Sequence, residues 1–167
     1  DDRRYVLPDY DPFWAAAEET GLPVSIHVST PRRVKADATP TENLMANLLA
    51  AQVLVGMVYA GTFDKFPKLQ LISAENDAGW AGNIIERTDY FHAKARARNL
   101  SADQKRNQKL PSDYFHNNVS YTFMRDITAI RARDIIGVDN LMWSSDFPHG
   151  DSTWPDSQSV LAEHMAG

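Results

Sequence analysis

Four short apolar, β-branched runs recur along the chain, each followed by helical spacing, and this alternation limits the fold more than any other feature. The runs occupy residues 24–28, 69–74, 119–123 and 141–145. Strand–helix alternation of this kind implies parallel strands joined by crossover helices. It does not by itself separate an open doubly wound sheet from part of a barrel.

Local signals mark the helices. Asp11-Pro12 offers an N-cap followed by proline at the first helical position, and Gly21 and Pro23 end the segment that follows. A loop is expected over 29–41 and a helix over 42–60, with a turn at Phe66-Pro67-Lys68. From Ala78 onward Trp80, Ile84, Ile85, Thr88 and Phe91 share helical spacing. Residues 94–111, with six Lys or Arg, read as a polar excursion. Asp126 can cap a helix reaching Ile136, Gly137 stops it, and Pro155 opens a last helix.

Composition narrows the chemistry. The net charge of −5 argues against general affinity for nucleic acid or anionic membrane. The basic excursion holds no aromatic residue on which a base could stack. The apolar run over 44–61 is interrupted by Asn47, Gln52 and Gly56 and follows a helix-start signal, so a buried soluble helix is the better reading than a membrane span. There is no cysteine. Thiolate metal sites, disulfides and a cysteine nucleophile are thereby excluded, and a reducing, cytoplasmic setting is expected. With 167 residues, one domain is expected.

Three strand ends carry a residue able to bind metal or move a proton: His27, Glu75 and Asp146. Parallel α/β folds build their sites at the carboxyl ends of strands. Each residue also has a plain structural role available. His27 can be a core histidine, Glu75 a cap on the next helix, and Asp146 a turn-former before Pro148. His149 shares the loop of Asp146 and can contact substrate or stabilise the turn. His92, His116 and His164 read as packing or surface residues. Ser25 and Ser145 lack a nucleophile-elbow context, and no phosphate-binding glycine loop is present.

The run Gly61-Thr62-Phe63-Asp64-Lys65-Phe66-Pro67-Lys68-Leu69 resembles a hallmark of the amidohydrolase-related family, which includes the aminocarboxymuconate semialdehyde decarboxylase-like enzymes. Ser144-Ser145-Asp146-Phe147-Pro148-His149 is similar to another, and Pro23-Val24-Ser25-Ile26-His27-Val28 looks like the family's fifth strand. The resemblance implies a (β/α)₈ barrel with a divalent metal, usually zinc, at its carboxyl-terminal mouth. This chain would supply strands five to eight, since a whole barrel takes about 250 residues. His27 would be a metal ligand. Asp146 would bind the metal and take a proton from its water. Glu75 departs from the many members that carry histidine there, and a glutamate can still act as general base; His149, from its place in the Asp146 loop, is expected to contact substrate.

The implied activity is metal-dependent hydrolysis of a small carboxylated or aromatic-derived substrate. Non-oxidative decarboxylation on the same scaffold, or a non-catalytic half-barrel module, are the alternatives. The expected partner is the missing first half of the barrel or a second copy of the chain in a homo-oligomer.

Overall fold

The computed structural model describes residues 5–28, 39–97 and 109–166. Its centre is one four-stranded parallel sheet in the order β1-β2-β3-β4, formed by Val24–His27, Leu71–Ala74, Val119–Phe123 and Leu141–Trp143. Val24 pairs with Leu71, Leu71 with Val119, and Tyr121 with Leu141, so neighbours in sequence are neighbours in space. This is the expected α/β arrangement of a partial barrel.

Alternation along the strands separates two faces. Ile26, Leu71, Val119, Tyr121 and Phe123 point into a core shared with the helices. Ser25, His27, Ile72, Ala74, Ser120, Thr122 and Met142 occupy the other positions and stay half-buried or exposed. The covering helices are α1 (Asp11–Thr20), α2 (Pro40–Met45), α3 (Asn47–Tyr59), α4 (Thr62–Lys65), α5 (Gly79–Ala97), α6 (Pro111–Asn118), α7 (Ile127–Arg131), α8 (Arg133–Ile136) and α9 (Ser157–Met165). Leu54 and Met57 of α3 are fully buried with Phe63 and Leu69. Removing a side chain such as Leu54 from a packed core costs about 2–5 kcal/mol.

Several boundaries differ from the sequence reading. Tyr10, not Asp11, is the N-cap of α1, and Asp11 is its first residue. Pro40 and Thr41, expected in a loop, begin α2, while 29–38 lie outside the described residues. The helix expected over 42–60 is interrupted at Ala46 between α2 and α3. Residues Pro40–Tyr59 are long and apolar enough to cross a membrane, and 35% of that stretch is buried: Ala50, Ala51, Leu54, Met57 and Val58 lie in the protein interior, while Leu44, Met45 and Leu48 are exposed. The polar excursion is replaced at both ends: α5 runs through Ala97, and Pro111 opens α6, with 98–108 outside the described residues. The helix from Asp126 to Ile136 breaks at Ala132 into α7 and α8. The last helix starts at Ser157 rather than Pro155.

Buried asparagines lace the sheet together. Asn118 Nδ2 donates to the carbonyls of Pro67 and Leu69 at 3.1 and 2.8 Å, joining the start of β3 to the approach to β2. Asn76 Nδ2 donates to the carbonyls of Ile26 and Ala74 at 3.0 and 2.7 Å. The second asparagine fixes where β1 and β2 end, and so where their terminal side chains emerge.

Candidate active site

The carboxyl ends of the strands open on a recess of about 260 Å³, lined among others by Asn47, Glu75, Asp77, Thr122, Asp146 and Asp151. Its backbone is unusual. Glu75, Asp77 and Asp146 have φ of 56°, 50° and 56°, in the left-handed region that side chains disfavour. Each such residue costs about 1–3 kcal/mol and persists only where its surroundings hold it. Around Glu75 and Asp77 the holding contacts are visible. Glu75 N–H donates to Thr122 Oγ1 at 3.0 Å, and Trp80 Nε1 donates to the Asn76 carbonyl at 2.8 Å.

Two imidazole–carboxylate pairs meet at this mouth. His27 Nε2 lies 2.7 Å from Glu75 Oε2, and His27 Nδ1 lies 2.9 Å from the Val28 carbonyl. Both ring nitrogens of His27 thus face acceptors, an arrangement satisfied when each carries a proton or when Glu75 supplies one. On the other side His149 Nδ1 lies 2.8 Å from Asp146 Oδ1. The Asp146 side chain is only 9% exposed, whereas that of His149 is 65% exposed.

Glu75, Asp146 and His149 each offer a ligand atom, and these atoms lie within 4.8 Å of one another. His27 does not belong to that threesome and reaches it through Glu75 Oε2. The structure therefore gathers three of the residues singled out in the sequence and attaches the fourth behind Glu75. The remaining histidines do not line the recess. His92 is 1% exposed with neither ring nitrogen hydrogen-bonded, while His116 and His164 bond to the carbonyls of Ile135 and Val160.

Asp77 is the site residue the sequence reading passed over. Burial raises its pKa above the ordinary carboxylate value and the Asp126 charge raises it further, with the Met124 backbone opposing both. The available signal was its place two residues beyond Glu75, as an aspartate able to tolerate left-handed backbone.

A parallel sheet with convergent carboxylates and imidazoles at its carboxyl ends defines an α/β protein whose ionisable groups gather where such folds build their sites. The amidohydrolase family model matches residues 1–167. The chain belongs to the amidohydrolase family.

Among solved structures, an amidohydrolase from Mycobacterium avium subsp. paratuberculosis K-10 superposes with a TM-score of 0.80 at 23% identity, covering 99% of this chain and 43% of that one. The 5-carboxyvanillate decarboxylase LigW from Sphingomonas paucimobilis gives 0.76 at 22% identity, covering 97% and 49%. A dihydroxybenzoic acid decarboxylase from Polaromonas sp. JS666, with bound manganese and 2-nitroresorcinol, gives 0.68 at 20% identity, covering 95% and 48%. The chain spans a little under half the length of these neighbours.

Proposed function

We propose that the protein is a metal-dependent hydrolase acting on a small carboxylated or aromatic-derived substrate. The observation that carries this reading is the convergence of Glu75, Asp146 and His149 within reach of one ion. Two carboxylates and an imidazole fit a divalent cation, and so oxygen-rich a set suits manganese as well as zinc. When bound, the cation supplies Lewis acidity and lowers the pKa of a water molecule.

The chain's own residues then have distinct tasks. Asp146, largely shielded from solvent, takes a proton and orients the His149 ring through Oδ1. His149, oriented by that bond, would supply the imidazole of the ion site. His27 holds one oxygen of Glu75, leaving the other for the cation or for proton transfer. The substrate is a small molecule. The rest of the mouth comes from the other half of a barrel or from a second copy of the chain.

Decarboxylation is the second reading, favoured by the decarboxylases among the structural neighbours. On that reading Glu75, held through Oε2 by His27, would deliver the proton to the carbon that loses carbon dioxide.

The experiment supplies the purified protein with Mn²⁺ or Zn²⁺. Carbon dioxide release is followed on hydroxybenzoates, and acid release on lactones, esters and amides. Turnover in the second group is expected, and in the first alone would move the assignment to a carboxy-lyase. Glu75→Gln should lower turnover by roughly 100-fold, the usual scale of a general acid or base, with little change in melting temperature. Failure to retain metal together with inert panels would leave a non-catalytic module.

A further inference from the structure

We propose that Asp126 is a positioning residue of this site, its carboxylate forming a clasp that fixes the loop carrying Glu75. Asp126 Oδ2 accepts from the backbone N–H groups of Ala78 and Gly79 at 2.8 and 2.6 Å, 48 and 47 residues away in the chain. Its other oxygen, Oδ1, accepts from Ala129 N–H at 2.9 Å and caps α7. The β3–α7 loop thus lends a carboxylate to the start of α5.

Three features make this more than a helix cap. Capping α7 requires only the Ala129 bond, yet one carboxylate also satisfies two of the free N–H groups at the start of α5. The segment so pinned holds Glu75 and Asp77 at φ of 56° and 50°, conformations that need external support. Gly79 is shaped to the contact: a Cβ there would lie 2.7 Å from Asp126 Oδ1 and 2.8 Å from Thr128 Cβ.

The inference rests on the reading of Glu75 as a site residue, but its test needs neither metal nor substrate. His27 reports the place of Glu75, because its Nε2 is bonded to Glu75 Oε2. The ring ¹⁵N and ¹H signals of His27 are recorded for the full chain and for Glu75→Gln, Asp126→Ala and Gly79→Ala. Asp113→Ala serves as a control cap lesion, since Asp113 Oδ2 accepts from Leu110 N–H at the start of α6.

Asp126→Ala and Gly79→Ala should shift the His27 signals toward those of Glu75→Gln. Asp113→Ala should lower the melting temperature and leave those signals in place. If Asp126→Ala fails to fold, Gly79→Ala, which retains the carboxylate, carries the test. His27 signals at wild-type positions in Gly79→Ala or in a folded Asp126→Ala would reduce Asp126 to a cap. An absence of turnover with the signals shifted as expected would overturn the enzymatic reading and leave the clasp intact.

Discussion

Asp77 shows how a single side chain can be illegible in a sequence and still shape a site. His27, Glu75, Asp146 and His149 could be read from the chain because each lies at or just beyond the end of an apolar run. Asp77 and the second task of Asp126 could not, because their partners lie in another loop, 47 or 48 residues away for the bonds Asp126 accepts. The environment of Asp77 gives a measurable consequence. Its folded-state pKa is raised above the ordinary 3.8 by burial and by Asp126. Folding therefore favours the protonated form of Asp77 more than the unfolded chain does. The associated stability is full below pH 3.8 and is lost as pH rises through the folded-state value. At neutral pH the wild type carries that penalty, whereas Asp77→Asn removes the charge. The variant should unfold at a higher urea midpoint at pH 7, and the two midpoints should converge below pH 3.8. A difference that stays constant with pH would show that the charge of Asp77 is not its source.

At the scale of elements, strands and long helices were legible and short helices were not. The four strands stand out because apolar β-branched residues are concentrated in them, and α5 because 19 residues suffice to display a period. Helix α6 has eight residues, with Tyr114 and Phe115 buried side by side, so no apolar stripe can be read from it. Its only local signs are Pro111 in the first turn and Asp113 bonding back to Leu110 N–H. The break between α7 and α8 falls at Ala132, a residue with no local tendency to interrupt a helix. Gly137 was legible as a stop, and the structure adds the reason. It adopts φ of 101°, and a Cβ would lie 2.3 Å from Asn140 Oδ1. Asn140 Nδ2 in turn donates to the carbonyls of His116 and Val119 at 2.9 and 2.7 Å, tying α6 to β3. Gly21 also has positive φ, 66°, but nothing lies within 4 Å of its Cβ position. Gly21→Ala should therefore lose only the left-handed preference, about 1–2 kcal/mol. Gly137→Ala should lose more, since the hydrogen bonds of Asn140 are disturbed as well, each worth about 0.5–1.5 kcal/mol. Urea denaturation of the two variants provides the comparison, and equal losses would rule out the Asn140 contact as the reason for glycine at 137.

For the molecule as a whole, the sheet has one finished face and one unfinished face. Helices cover Ile26, Leu71, Val119, Tyr121 and Phe123. Among the described residues, Ser25, His27 and Met142 on the opposite face are exposed, and Ile72, Ala74, Ser120 and Thr122 are only half-buried. Both margins are also open among the described residues, because β1 pairs only with β2 and β4 only with β3. Unpaired backbone groups on a β-branched or apolar margin favour pairing with another chain. The interior of a closed barrel is filled by layers of side chains from all its strands, and four strands supply half of them. The 167-residue chain alone should therefore associate with copies of itself. Light scattering on the eluting protein should give a mass of two or more chains that falls on dilution. Met142 lies on the unfinished face of an edge strand and is 37% exposed, so Met142→Lys should be tolerated by the fold while placing a charge in the contact. That variant should weaken association at least tenfold and leave the melting temperature of the diluted, dissociated chain within a few degrees of wild type. A wild-type chain that remains a monomer at every concentration, with the same melting temperature as Met142→Lys, would show that the open face needs no partner.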